Sequence, residues 1–142
     1  MIIDGLRTYI RKCPALRKYN NVVAKVNVDY LADTPTTYSI EEVPTDVTIQ
    51  KYIDGSSKRQ FVFVFASRED YSEDVIDNIN NSGFYEDFAN WLEEQTDNEN
   101  LPIIGDNKEV LKIEAITNGY AFKTDVKTAR YQIQCRLVYI QK

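Results

Sequence analysis

Five apolar residues stand together in the middle of the chain, in the run Arg59-Gln60-Phe61-Val62-Phe63-Val64-Phe65-Ala66-Ser67. A strand with one solvated face alternates apolar and polar side chains, whereas residues 61–65 are apolar at every position. We therefore predict a central strand that is covered on both faces. The second cover is expected to be either a helix of this chain or a neighbouring subunit.

The segment before this run, residues 47–53, is also rich in β-forming residues. A connection of turn-forming residues joins the two, in the order Asp54-Gly55-Ser56-Ser57-Lys58. Because five residues that include a glycine suit a hairpin with that glycine at positive φ, we predict a β-hairpin here.

Apolar residues recur at steps of three and four at the start of the chain, which indicates one apolar stripe on a short helix. The stripe ends at Cys13-Pro14, because a proline disfavours helical conformation in the residue before it. Short strand patterns follow over residues 26–30 and 38–43. The stripe consists of Ile2, Leu6, Tyr9, Ile10 and Cys13.

A helical pattern follows the hairpin, and Ser72 can cap its start. Asn80-Asn81-Ser82-Gly83 interrupts this pattern, which resumes over residues 84–92. We predict two helical segments with a bend between them. Residues 95–100 are polar and are predicted to form an exposed loop.

The chain returns to strand patterning from Val110 onward, where Leu111, Ile113 and Ala115 alternate with polar residues. Asn118-Gly119 is a strong signal for a two-residue hairpin turn, and a short partner strand is predicted over residues 120–123. An amphipathic final strand of antiparallel character is predicted last. Its apolar face consists of Tyr131, Ile133, Cys135, Leu137 and Tyr139.

These elements predict an α+β fold in a single domain, residues 1–142. The predicted architecture is a mixed, mainly antiparallel sheet, with an N-terminal helix and a central two-segment helical unit packed on it. The composition is that of an ordinary globular chain, with 43% hydrophobic and 27% charged residues.

The net charge of -5 argues against a dedicated nucleic-acid binder, because lysine and arginine supply the affinity for phosphate. No sequence-specific nucleic acid is expected as a partner. A basic cluster near the start fits either a solvated helix face or a local polyanion site. The chain lacks a membrane-spanning run and a signal-peptide pattern, so we expect a cytoplasmic product without a membrane partner. The cluster consists of Arg7, Arg11, Lys12, Arg17 and Lys18.

The chain contains no histidine, the commonest general base and transition-metal ligand. Cys13 and Cys135 lack CxxC spacing and fit apolar patterns, so both are expected to be reduced, packed thiols. No phosphate loop, dinucleotide fingerprint or nucleophile elbow occurs, and the acidic pairs lack the order of a calcium loop. We expect no enzyme, no catalytic residue, no cofactor and no metal site.

Ten tyrosines are a more informative excess, since tyrosine is enriched at protein interfaces. The hairpin turn is the segment where we expect a subunit contact, because a projecting hairpin can pair or dock at its edge. An exposed turn without function is the alternative. The residues proposed for this contact are Lys51, Tyr52, Asp54, Lys58 and Arg59.

Three segments of the chain resemble a family of small proteins from the head-tail gene clusters of phages and prophages of Gram-positive bacteria. The chain is similar to the minor capsid or tail terminator group of this family, over nearly its whole length. The three segments are Arg59-Gln60-Phe61-Val62-Phe63-Val64-Phe65-Ala66-Ser67-Arg68-Glu69, Asn81-Ser82-Gly83-Phe84-Tyr85-Glu86-Asp87-Phe88-Ala89-Asn90-Trp91-Leu92 and Ala129-Arg130-Tyr131-Gln132-Ile133-Gln134-Cys135-Arg136-Leu137.

The resemblance implies a tail-terminator-like domain that forms a homo-oligomer, a hexameric ring on top of the tail tube. It implies contacts with the tail tube protein on one side and with the head-tail connector or neck protein on the other. The expected location is the host cytoplasm during assembly and then the tail or neck of the virion.

Three alternatives remain open from the sequence. A head-completion or neck protein is equally compatible with a small, acidic α+β chain. An acidic host-directed inhibitor of a DNA-binding protein would imitate phosphate with its carboxylates. A small enzyme, such as an acetyltransferase, is the third and lacks the histidine base that such chemistry usually needs.

Overall fold

A computed structural model describes residues 2–16, 18–19, 22–23, 26–29, 31, 37–70, 75–124 and 128–142. Within these ranges, only the backbone is described for residues 18–19, 22–23, 70, 75–82 and 123–124. The predicted Ser72 cap, Arg17 and the side chain of Lys18 lie outside the described part.

The described elements confirm the α+β class, with two helices and a mixed, mainly antiparallel sheet. In chain order they are α1 (Ile2–Ile10), β1 (Lys18–Tyr19), β2 (Val22–Val23), β3 (Val26–Val28), β4 (Thr37–Val43), β5 (Thr48–Lys51), β6 (Ser57–Asp70), α2 (Val75–Asp97), β7 (Lys108–Ala115), β8 (Tyr120–Thr124) and β9 (Thr128–Gln141).

Two long antiparallel strands form the centre of the main sheet. β6 and β9 pair along their full 14 residues, from Ser57 opposite Gln141 to Asp70 opposite Thr128. The outer edge of β6 carries β4 and then β5, and β3 extends the sheet in parallel with β4. The outer edge of β9 carries β7 and then β8. β1 and β2 form a separate two-stranded sheet.

Both helices pack on the face of the sheet that carries Phe63 and Phe65. Phe65 stacks on Phe88 of α2 with ring centroids 4.5 Å apart, and Tyr9 of α1 contacts Trp91 of α2 at 5.2 Å. The predicted central position of this strand is confirmed, since β6 lies between β4 and β9.

The opposite face of β6 carries Val62, Val64 and Ala66, which are also buried. A second helix was one predicted cover, yet neither helix of the described residues packs on this face. Long polar side chains of the sheet itself cross it. The Arg130 guanidinium of β9 donates to the Glu41 carboxylate of β4 at 2.9 Å, and this bond passes over β6. The chain therefore covers this strand without a neighbouring subunit.

The N-terminal helix is confirmed, with Leu6, Tyr9 and Ile10 buried. Arg7 of the basic cluster donates to the Val26 carbonyl at 2.7 Å, while Arg11 and Lys12 are exposed. Arg7 therefore has a structural role, since it joins α1 to β3.

The central helical unit is one continuous helix, so the predicted division into two segments at residues 80–83 is wrong. Packing overrides the weak local propensity of Asn and Gly, because Tyr85, Phe88 and Leu92 bury themselves against the sheet. The helix also extends to Asp97, into the predicted loop. Glu99 ends it in the left-handed region at φ 58°.

The predicted hairpin turn at Asn118-Gly119 is also wrong. β7 and β8 both pair with β9 and run in the same direction, so residues 116–119 interrupt one edge strand. Gly119 instead allows Tyr85 of α2 to approach the backbone closely, since a Cβ at this position would lie 2.3 Å from Cβ of Tyr85. A register shift between Val110 and Lys112 leaves Leu111 exposed, although it was predicted to share a face with Ile113.

Candidate subunit interface

The β5–β6 hairpin has a well-defined turn over residues 52–56. Gly55 adopts a φ of 92°, which confirms the predicted glycine at positive φ. The Asp54 carboxylate accepts bonds from the Ser56 amide at 2.9 Å and the Ser56 hydroxyl at 2.6 Å, which lower its pKa. The Tyr52 amide donates to the Ser56 carbonyl at 2.9 Å. These bonds hold the tip of the hairpin in one shape.

The hairpin exposes apolar side chains along a sheet edge that has no partner strand among the described residues. Ile53 at the tip is fully exposed, and every residue of β5 is exposed. We call this surface the hairpin patch. It consists of Val47, Ile49, Tyr52 and Ile53, whose side chains are 48%, 46%, 38% and 108% exposed.

The structure brings the five predicted contact residues together on this hairpin, but in different roles. Lys51 and Lys58 form no ion pair with the described residues. Arg59 donates to the Ser57 hydroxyl at 2.9 Å, and Asp54 is occupied by the turn. The two lysines and Tyr52 are therefore the predicted residues that remain available to a partner.

The opposite edge of the sheet holds a groove of about 320 Å³ between α2 and β7. Its partly exposed apolar residues are Ala89 and Ala115, whereas the Ile113 side chain is fully buried. The charged residues that line it are the exposed Glu93 and Asp97, together with Lys112 and Glu114, which pair with each other at 2.9 Å. Thr96 fixes the two walls, because its hydroxyl donates to the Ile113 carbonyl at 2.8 Å and accepts from the Ile113 amide at 3.1 Å. We call this feature the α2–β7 groove.

Charge is strongly segregated along the chain, a signal that the net charge conceals. Residues 69–107 contain 12 acidic side chains and no basic one, whereas the rest of the chain carries all 17 basic and only 10 acidic side chains. The exposed outer surface of α2 is acidic as a result, and its last turn holds no basic residue. A count of charges by segment would have revealed this polarity from the sequence alone.

A second exposed apolar surface follows the β7 and β8 edge, where Leu111, Ile116, Tyr120 and Phe122 are 41% to 61% exposed. The Arg130 guanidinium lies over the Phe122 ring at 5.6 Å, and Gln132 donates to the Tyr120 hydroxyl at 2.7 Å. We call this surface the β8 patch.

Neither thiol is poised for chemistry. Cys13 and Cys135 are free and buried, as predicted, and burial raises the pKa of each thiol. Within the described ranges, no three His, Cys, Asp or Glu side chains are grouped to hold a metal ion. Neither of the two described helices has the length and apolarity needed to span a membrane.

A groove of about 710 Å³ lies between α1 and residues 100–105. Tyr9, which lines this groove, has a structural role, since its hydroxyl donates to the Asn100 carbonyl at 2.8 Å. Gly5 permits the close approach of α1, because a Cβ there would lie 2.4 Å from the Ile103 carbonyl oxygen. This groove is therefore the seam where α1 meets the following segment.

The sequence matches no protein-family model and no curated protein.

Proposed function

We propose that this chain is a structural phage assembly protein, a tail terminator whose copies form a hexameric ring that caps the tail tube and joins it to the head. The observation that carries the proposal is the hairpin patch. Exposed apolar side chains on a free strand edge are a liability in a monomer, because that edge can pair with any other chain. A protein that assembles with other subunits gains a contact from the same surface.

The β8 patch lies apart from the hairpin patch, which supports two kinds of contact. The hairpin patch lies on the outer edge of β6, and the β8 patch lies on the outer edge of β9. A ring subunit needs one pair of surfaces for its neighbours and another for the assemblies above and below it. We assign the hairpin patch to the neighbouring subunit and the β8 patch to the tail tube protein or the neck protein.

The mechanism is steric and involves no chemical step. A completed ring occupies the last tube surface, so no further tube subunit can add, and its outer face offers the surface that the neck protein recognises. Burial of the exposed apolar side chains supplies the free energy, at about 25 cal/mol per Å². Assembly takes place in the host cytoplasm, and the product remains in the virion neck.

Deletion of the gene in the phage or prophage that carries it tests the proposal. Overlong or unfinished tails beside separate, filled heads are expected in electron micrographs of the lysate. Empty or leaking heads beside tails of normal length would instead support the head-completion alternative. Normal infectious particles would overturn both assembly functions.

Complementation of the deletion connects the phenotype to the hairpin. A plasmid copy with Ile53→Asp is expected to leave the tail defect, because the charge prevents burial of the tip. Ile103→Asp is the matched control, since Ile103 is 89% exposed outside the hairpin and should restore normal tails. Equal rescue by both variants would exclude the hairpin patch from assembly.

The acidic surface of α2 favours a second candidate function, a host-directed inhibitor that imitates DNA. Such an inhibitor would bind a host DNA-binding protein in fixed stoichiometry, and added salt would weaken the complex steeply. Affinity purification from infected cells distinguishes the two functions. Capture of such a protein, with none of the chain in purified virions, would favour inhibition.

A further inference from the structure

The hairpin tip and the α2–β7 groove have complementary shape and charge. We propose that the tip of one copy, with Ile53 between Lys51 and Lys58, docks into the α2–β7 groove of the next copy. This inference rests on the proposed ring, which supplies the neighbouring copy.

The apolar parts of the two surfaces fit each other. Ile53 projects fully into solvent at a turn that its own hydrogen bonds hold in shape. The groove presents the partly exposed methyl groups of Ala89 and Ala115. Because the turn is rigid and Thr96 fixes both walls of the groove, docking requires little ordering of either surface.

The charges identify a second copy of this chain as the occupant. Glu93 and Asp97 form no ion pair with the described residues, as is true of Lys51 and Lys58 on the hairpin. The two carboxylates stand at helical spacing i, i+4 near the negative end of the helix dipole, an arrangement that costs free energy in the isolated chain. Lys58 would offset that cost, while Lys51 lies on the opposite face of the hairpin.

The topology allows the contact to repeat from copy to copy. β5 pairs with residues 57–59 of β6, and Ile113 lies opposite Leu137 of β9, which lies opposite Phe61 of β6. The hairpin and the groove therefore lie at opposite edges of the sheet, near the same end of its strands. β5 and β7 are three strand spacings apart, roughly 14 Å. A contact between two different surfaces is heterologous, and such contacts close into rings or propagate as filaments.

Cysteine cross-linking in assembled particles tests the contact. The variant with both Ile53→Cys and Glu93→Cys, supplied to the deletion phage, is expected to give a ladder of covalent multimers in purified virions under mild oxidation. A mixture of the two single variants should give dimers only. The native thiols should not interfere, since Cys13 and Cys135 are buried.

The matched control pairs Ile53→Cys with Glu86→Cys. Glu86 is also exposed and acidic on α2, but it lies seven residues, or about 10 Å, from Glu93 along the helix. A ladder no stronger than that of the control, in virions that contain the protein, would overturn the docking while leaving the proposed function intact. Dimers from the Ile53→Cys variant alone would show that hairpins meet each other and would also overturn it.

Absence of the protein from virions would overturn the proposed function, and the docking would then be judged on the purified chain. Oxidation of the doubly substituted protein at high concentration should still give the ladder if the contact exists. No ladder under those conditions would overturn the docking as well.

Charge reversal provides an independent check on the purified chain. Lys58→Glu and Glu93→Lys are each expected to weaken self-association in sedimentation measurements about ten-fold, and the double reversal should recover most of the loss. Losses that add in the double variant would mean that the two residues do not face each other across the contact.

Discussion

The two edges of the sheet are built on the same plan and differ in what packs against them. Each central strand carries an interrupted strand: β4 and β5 on β6, with residues 44–47 between them, and β7 and β8 on β9, with residues 116–119 between them. We call the first the hairpin edge and the second the helix edge.

A backbone hydrogen bond joins each interruption to a glutamine of the adjacent central strand, β6 on one edge and β9 on the other. On the hairpin edge, the Gln60 amide donates to the Val47 carbonyl at 2.8 Å, and all four residues of the interruption are exposed. On the helix edge, the Ile116 amide donates to the Gln134 carbonyl at 2.8 Å, and Tyr85 of α2 lies against Gly119. Residues 116–118 of the helix edge are exposed as well, so the two edges differ in the contact that α2 makes at Gly119.

The largest effect is expected from Gly119→Ala, which would break the contact between α2 and the helix edge. The new Cβ would lie 2.3 Å from Cβ and 2.5 Å from Cγ of Tyr85, so backbone or helix must move. We expect a loss of about 3 kcal/mol in the free energy of unfolding, measured by chemical denaturation.

Gly83→Ala is the matched control, because Gly83 lies inside α2 with nothing within 4 Å of its added Cβ. Alanine should stabilise the helix there by about 0.5–1 kcal/mol. A Gly119→Ala protein that is as stable as the wild type would mean that α2 does not approach this edge so closely.

The next effect is expected from Tyr85→Phe, which removes the polar link between α2 and the two central strands. The Tyr85 hydroxyl donates to the Tyr131 carbonyl at 2.9 Å and bonds the Ser67 hydroxyl at 2.5 Å. Its loss leaves buried groups unpaired, so we expect a cost of about 2 kcal/mol in thermal or chemical unfolding. Tyr52→Phe on the exposed hairpin should change the free energy of unfolding by less than about 0.5 kcal/mol.

The pH dependence of the same variant tests the burial of this hydroxyl. Burial raises the pKa of Tyr85 well above its usual value, so the folded state holds this proton more tightly than the unfolded state. The resulting stability is fully present below the unfolded tyrosine pKa of about 10 and is lost as pH rises toward the folded pKa. The wild type should therefore lose stability more steeply than Tyr85→Phe above that pH, and parallel curves would contradict the burial.

The sequence predicts the elements whose pattern is local. The β5–β6 hairpin, the alternation of β9 and the end of α1 before Pro14 are confirmed, because turn chemistry and period alone specify them. The glycines are less predictable. Gly83 lies within a helix, and Gly119 lies beneath a tyrosine that is distant in sequence. Their surroundings depend on tertiary packing, which no local signal contains.

The candidate interface was predictable only in part. The lysines and Tyr52 of the hairpin were identified from the turn, whereas Ile49 and Ile53 were not, because an apolar residue in a strand is ordinarily buried. The exposure of Ile49 depends on the free edge of β5, a property of the sheet as a whole, whereas Ile53 lies in the turn beyond β5. The acidic segment was visible in the sequence, yet a net charge of -5 averages it with the basic remainder.

The smallest effect is expected from a pair of matched substitutions, one on each edge. Ile113→Val removes a methylene from a fully buried residue of the helix edge and should cost about 1 kcal/mol. Ile49→Val removes the same group from a residue that is 46% exposed, so its cost in dilute solution should be too small to measure. Denaturation curves of both proteins at low concentration test this difference.

The same pair also distinguishes a free surface from one that a second copy covers. If β5 is buried between copies, Ile49→Val acquires a measurable cost as the protein concentration rises into the range where copies associate, because binding of a partner stabilises the folded state by mass action. Ile113→Val should already show its full cost at the lowest concentration, since the Ile113 side chain is buried within one chain. Equal costs for the two substitutions at the lowest concentration would mean that the hairpin edge is already covered, and the contrast between the two edges would fail.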